Sequence, residues 1–384
     1  MIKKRIVIAV LVAIIFLPLW MWLGWLCTPK KKMVAVIVDK TALLNGEQHA
    51  SFTWVLNNQR FTKTETALYK NDNDYFGFFP LKNEKFRLKG LERFSAQMLE
   101  KLSNDADLLY LTDTYGVYKN EWYQNKNEPG LIYGGMSEQD IQLLQKMKEK
   151  HKLVISEFNT LGAPTSEKNR SDFENIFGVK WSGWTGCYFA SLDTAKNTDL
   201  PAWIPNFYKK DNNGQWPFHH AGIVFVNTEN KVVILEEGND LSSALPLILV
   251  NKYAQKKYHL PAQTAYPFWF DVMQYDSMIN QPIAQFQLEA TAAGKQILKN
   301  AELPAMFPAI LKHEKTDYRF YYFSGNFCDN PISLNTSYFK GIGVINSLFY
   351  HSDDVNNRRN FFWNFYRPLM TEITADYYQS LSKN

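Results

Sequence analysis

Three almost unbroken apolar runs, spaced by helix-length segments, constrain this chain more than any other feature. Met33–Val38 (MVAVIV), Leu108–Thr112 (LLYLT) and Leu153–Ser156 (LVIS) are short and rich in β-branched and aliphatic residues. Runs of that kind read as strands buried on both faces. Between them, Leu91, Phe94, Met98, Leu99 and Leu102 recur at helical spacing, predicting an amphipathic helix over Leu91–Leu102. A second helix is expected over Ser137–Lys150, with Ser137 as N-cap, acids in its first turn and lysines in its last. Strand, helix and strand in succession form βαβ units, which build parallel sheets with right-handed crossovers. The expected fold is therefore α/β, a flavodoxin-like or Rossmann-like parallel sheet.

Open sheets of this class bind ligands at the carboxyl ends of their strands. The stretch Lys152–Thr165 (KLVISEFNTLGAPT) is central here, because its apolar run stops at Glu157 and turns at Asn159. Asp39 and Asp113 follow the other two runs, so three acids are expected on one sheet edge, with Tyr115 and Asn159 beside them. Convergent carboxylates can act as general acid and base or hold a divalent cation. Glu157 with Asp113 as a catalytic pair would suit glycoside hydrolysis, which needs two carboxyls roughly 5–10 Å apart. Trp181 and Trp184, with Trp122 and Tyr123, would then offer faces for sugar rings. The plainer alternative is that strand-end acids cap neighbouring turns and that the tryptophans anchor a core.

Ile6–Cys27 is a run of 22 residues without a charge. At about 1.5 Å per residue it reaches roughly 33 Å, enough to cross a hydrocarbon core. It exceeds a cleavable signal's apolar region, so it reads as one transmembrane signal anchor, with Trp20, Trp22 and Trp25 as an interfacial belt. Six basic residues and no acid lie in residues 1–32, leaving 36 basic against 38 acidic residues beyond. The basic net charge of +4 thus belongs to the membrane flank and gives no support to nucleic-acid binding. The expected location is the plasma (inner) membrane, single-pass, with the C-terminal domain extracytoplasmic.

Three cysteines, Cys27, Cys187 and Cys328, make no disulfide framework, although Cys187 and Cys328 leave one bridge open. His219 and His220 are adjacent, and in extended chain they point to opposite faces, so no zinc site is expected; no metal ligands and no cofactor are assigned. Further along, Trp181–Gly186 reads as a Trp/Gly-rich turn, and Gly222–Val226 with Val232–Glu236 as a hairpin inserted in the fold. Glu236, Glu237 and Asp271 read as solvated or capping acids, and Arg358 and Arg359 as a solvated or membrane-facing pair. Tyr318–Phe323 is a late strand, and Phe361, Phe362, Phe365, Leu369, Ile373 and Tyr377 mark one face of a terminal helix. The expected organisation is an anchor with basic flanks (1–32), an α/β domain (33–345) and a helical extension (346–384).

The Gly134-Gly135 pair, the elbow Val154–Asn159 and the late element Pro304–Asp329 (PAMFPAILK, then YRFYYFSGNFCDN) together resemble the class I glutamine amidotransferase-like fold, in its membrane-anchored bacterial relatives. The resemblance implies the parallel sheet and a site at its carboxyl edge. That family's nucleophilic cysteine stands at the elbow, where this chain has Glu157. Its His-x-Glu pair is also missing, since His351 is followed by Ser352 and Asp353. A carboxylate forms no thioester, so glutaminase activity is not expected. The expected role is binding of a ligand or partner, a glycan or an envelope protein linked to cell-envelope polysaccharide. The alternative is a carboxylate-based carbohydrate-active enzyme.

Overall fold

The computed structural model describes residues 16–43, 47–124, 129–315, 317–350 and 354–381. Its centre is a ten-stranded mixed sheet. Five neighbouring strands run parallel: Ala35–Asp39, Phe76–Pro80, Leu108–Asp113, Leu153–Glu157 and Arg319–Phe323. Taken in chain order, they lie across the sheet as second, first, third, fourth, fifth. This is the order of flavodoxin-like sheets, and it places the topological switch between the first and third strands. Asp39 and Asp113 end those two strands and sit opposite one another in the ladder.

Helices cover both faces. Ala96–Asp105, Glu138–Glu149 and Glu167–Phe177 bury Leu99, Leu143, Leu144, Met147, Phe173 and Phe177 against one face. On the other, Glu47–Asn58 and the C-terminal helices from Arg358 to Leu381 bury Phe52, Trp54, Phe362, Phe365, Leu369 and Ile373. The terminal residues are thus part of the main core. Antiparallel strands extend the sheet at both ends, Phe86–Lys89 at one and Met306–Glu314, Gln281–Ala290, Leu241–Val250 and Gln263–Ala265 at the other. The segment between Glu157 and Arg319 also contributes a separate four-stranded antiparallel sheet, ordered Val232–Glu236, Gly222–Asn227, Val179–Phe189, Phe270–Tyr275.

Several local expectations are corrected. The helix foreseen from Leu91 begins at Ala96, because the Ser95 hydroxyl accepts from the Met98 amide and caps it there. Trp181–Gly186 lies inside the long strand Val179–Phe189, whose pairing with Phe270–Tyr275 shifts register between Trp181 and Thr185. A bulge accounts for the glycines that read as a turn. Asp271 sits within the strand Phe270–Tyr275 and is buried. Glu236 is buried as well, and one of its oxygens accepts from the backbone amides of His219 and His220 at 2.6 and 2.8 Å. Arg358 is turned inward, donating to the carbonyls of Asn326 and Asp329 with its guanidinium 4.0 Å from the Phe268 ring centre. The bridge that the sequence left open is not formed: Cys187 and Cys328 are both free and buried.

No helix among the described residues is long and apolar enough to cross a membrane. Residues 6–15 of the foreseen transmembrane run lie outside the described residues. Its second half forms the helix Leu17–Cys27, which leaves Trp20 and Trp22 exposed and buries Trp25.

Candidate functional site at the switch point

The edge at the switch point is assembled by short polar links between loops. Asp39 accepts from the Thr41 amide at 3.0 Å, while the Thr41 hydroxyl donates to Asp113 at 2.5 Å. Asp113 also accepts from the Tyr115 amide at 2.7 Å and from the Asn159 carboxamide at 3.1 Å. Asn159 follows the fourth parallel strand with a left-handed backbone, φ 64°, a conformation Asn tolerates better than most residues. The Thr114 hydroxyl reaches the Asn159 and Thr160 carbonyls, tying this elbow to the loop after the third strand. The Gly134-Gly135 pair closes over the same loops. A Cβ at Gly134 would stand 2.8 Å from the Gly116 Cα, and the Gly135 amide donates to the Thr114 carbonyl at 2.7 Å.

Two residues that sequence reasoning did not place complete the cluster. His49, on the helix Glu47–Asn58, meets the second Asp39 oxygen through Nδ1 at 2.7 Å, and its Nε2 meets the Asn71 carbonyl at 2.7 Å. Both partners of this buried imidazole are acceptors. Asp271 comes from the four-stranded sheet. One of its oxygens accepts from the Thr185 hydroxyl at 2.7 Å, while the other is buried toward the Asn159 amide.

Burial raises the Asp113 carboxyl to about 7, even though the Thr41, Asn159 and Tyr115 donors pull it down, and nearby Asp39 adds to the rise. Asp271 is likewise pushed up to about 7 by burial, opposed by Thr185 and the Asn159 amide and helped by the charge of Asp113. These two carboxyls therefore feel one another across Asn159. Burial thus moves both carboxyls toward neutrality, the range in which a carboxyl can serve as a general acid or base.

The other residues expected at the site divide clearly. Tyr115 is 36% exposed at the rim, stacked at a tilt on Tyr118. Glu157 does not join Asp113. It shares a strand face with Leu153 and Ile155 and so faces the layer containing Tyr110, whose hydroxyl donates to it. Its other oxygen accepts from the Cys328 amide at 2.9 Å, and Tyr110 continues to the Tyr366 hydroxyl at 2.9 Å. With no exposure to solvent, this carboxyl is raised by burial to about 8. Trp181 and Trp184 are both 8% exposed, and the Trp181 indole donates to the Trp184 carbonyl at 3.0 Å. Neither presents an open ring for stacking.

The neighbouring cation is also committed elsewhere. Lys40 is buried with its ammonium 2.6 Å from both Glu92 and Asp140 and 2.9 Å from the Gly135 carbonyl. Burial opposes its charge, but the two acids outweigh that and hold it above its ordinary value. The edge is thus carboxylate-, hydroxyl- and carboxamide-lined. Among the described residues, no group of three His, Cys, Asp or Glu is placed to hold a metal ion.

No protein-family model matches the chain, and no curated protein matches it significantly. Solved structures do align with it. They include a ThuA-like protein from Bacteroides uniformis, 9% identical over 78% of this chain and 83% of that one, TM-score 0.35. A beta-galactosidase from Bacillus circulans sp. alkalophilus is 10% identical over 79% of this chain and 30% of that one, TM-score 0.32. Agd3, a carbohydrate deacetylase, is 10% identical over 87% of this chain and 33% of that one, TM-score 0.33. The chain spans about a third of the length of the last two. At these TM-scores the likenesses carry no argument about activity.

Proposed function

We propose that the chain is a membrane-anchored, extracytoplasmic α/β protein whose switch-point edge binds a neutral polyhydroxylated ligand, a glycan, and acts on it with the carboxyl pair Asp113 and Asp271. The observation that carries this reading is the pair itself: Asp113, ending a parallel strand at the switch point and accepting from the Asn159 carboxamide at 3.1 Å, and Asp271, brought in from the four-stranded sheet, both buried and both raised by burial. The lining supports the ligand class. Hydroxyls and carboxamides pair with sugar hydroxyls, which both donate and accept. Phosphate or nucleotide is disfavoured, because the acids face the edge while Lys40 is locked into its own ion pairs. Thioester chemistry is disfavoured too. The elbow carries Glu157 and Asn159, and the nearby Cys328 thiol is buried and pushed up well beyond reach of ionisation, first by burial and then by Glu157.

The test is a glycan array followed by turnover assays on chromogenic glycosides and acetylated oligosaccharides, using the full-length protein. Asp113→Asn and Asp271→Asn should each lower kcat/KM about 10²–10⁴-fold, as loss of a general acid or base does. A bell-shaped pH profile centred near neutrality is expected. An array without any bound glycan, or turnover indifferent to both substitutions, refutes the reading.

A further inference from the structure

The helix Leu17–Cys27 is fastened to the domain along its second half. The Arg60 guanidinium lies 4.7 Å from the Trp25 ring centre and donates to the carbonyls of Trp25 at 3.1 Å, Thr28 at 2.6 Å and Leu26. The Trp25 indole donates to the Asn57 carbonyl at 2.9 Å, and its ring meets Tyr338 edge-on at 5.1 Å. One turn earlier in the helix, the Lys340 amide donates to the Met21 carbonyl at 2.9 Å. A Cβ at Gly24 would stand only 3.6 Å from the Lys340 Cβ. Helix and domain therefore meet through contacts from two separate segments, Asn57–Arg60 and Tyr338–Lys340, which fix the helix against the domain.

The chain beyond Lys340 is unusual. Gly341 turns it with φ 75°, and the short 3₁₀ segment Ile342–Leu348 begins. Ile342 is buried, but Val344 is 86% exposed and Leu348 78% exposed, two of the three most exposed large hydrophobic side chains described. The segment is held at its far end as well, where Phe349 stacks on Trp363 at 5.4 Å. Two aliphatic side chains are thus presented outward on a braced turn, four and eight residues from the bond to Met21. The helix itself exposes Phe16, Leu17, Leu19, Trp20 and Trp22, and the uncharged run 6–15 leads into it in sequence. A basic patch adjoins: Lys31 lies close enough to Lys340 to be lowered by it, after burial.

We propose that Val344 and Leu348 enter the bilayer beside the N-terminal helix as a second membrane contact, with Lys31 and Lys340 at headgroup level, so that the domain rests on the membrane at a fixed tilt. The occupant is lipid because the patch adjoins the exposed apolar side chains Phe16, Leu17, Leu19 and Trp20, which continue the uncharged run that starts at Ile6, and because the flanking charge is positive, as anionic headgroups require. The inference rests on the membrane-anchor reading above.

The experiment uses full-length protein with Cys27→Ser, reconstituted into phosphatidylcholine–phosphatidylserine vesicles. A single fluorophore is attached through Leu348→Cys, Val344→Cys, Leu19→Cys or, as a solvent reference, Asn213→Cys. Nitroxide-bearing lipids should quench the probes at 348 and 344 several-fold more than the probe at 213 and about as strongly as the one at 19. Quenching at 19 but not at 344 or 348 overturns the second contact and leaves the anchor standing. Absence of quenching at 19 overturns the anchor, and the inference with it.

Discussion

Replacing Glu157 by Gln should flatten the alkaline limb of the protein's stability profile. Glu157 is wholly buried, and its carboxyl is raised from 4.5 to about 8. In the folded state it stays protonated over a range in which the unfolded chain has already lost that proton. A raised carboxyl contributes its full stability below pH 4.5, and this drains away as pH climbs through 8. At about 1.4 kcal/mol per pH unit the gap amounts to roughly 5 kcal/mol, an order-of-magnitude figure. The carboxamide introduced by Glu157→Gln would reproduce the neutral acid, its carbonyl accepting from the Cys328 amide and its NH₂ facing the Tyr110 oxygen, while Tyr110 donates onward to Tyr366. The assay is urea unfolding of the full chain in mild detergent, followed by tryptophan fluorescence, at steps between pH 5 and 9. Asp113 and Asp271 contribute limbs of the same sign, so only the difference between wild type and variant isolates Glu157. Wild type should lose several kcal/mol more than the variant between these limits. Parallel pH profiles would refute the claim that this carboxyl is held neutral by its surroundings.

Removing the Lys40 charge by Lys40→Met should cost about 3–5 kcal/mol, because Asp140 and Glu92 would be left without their cation; the same urea titration reads it, and a loss below about 1 kcal/mol would contradict it. Trp184→Ala should cost about 3–5 kcal/mol as a core truncation yet leave glycan specificity unchanged, whereas an altered array profile in a still-folded variant would restore the ring as a stacking surface. Gly77→Ala should fail to accumulate as soluble protein or lose about 3–5 kcal/mol, since a Cβ there falls 1.6 Å from the Asp39 carbonyl oxygen at φ 148°; normal stability would show that the first and second strands can separate without cost.

The parallel core was legible because strands covered on both faces leave a plain mark. Met33–Val38, Leu108–Thr112 and Leu153–Ser156 each fall on an observed strand, and Ser137 caps its helix as its position implies. The strand ends delivered Asp39, Asp113 and Asn159 to one cluster. Glu157 shows the limit of that reasoning. Alternation along a strand decides which face a terminal side chain takes, and a bulge or a one-residue difference in length sends neighbouring acids apart. His49 was hidden because the helix Glu47–Asn58 lies between the sheet and the C-terminal helices, leaving little amphipathic contrast to single out its imidazole. Asp271 carried a usable signal. An acid inside the run FDVMQY must be buried if that run is a strand, and a buried acid requires partners. Trp181 and Trp184 carried none, since their number in the sequence does not distinguish a ring in a core from a ring in a cleft.

The placement of Arg319–Phe323 beside Leu153–Glu157 has a bearing on how the chain is made. About 160 residues separate these neighbouring strands in sequence. At roughly 5–20 residues per second, a nascent chain exposes one edge of the Leu153–Glu157 strand for about 8–32 seconds before its partner exists. Tyr366, which meets Tyr110 behind Glu157, arrives later still. Until then the half-finished sheet presents unpaired amides and carbonyls to any other strand it encounters. Biogenesis is therefore the stage at which this protein most needs protection, and shortening the insertion between these two strands should raise its yield.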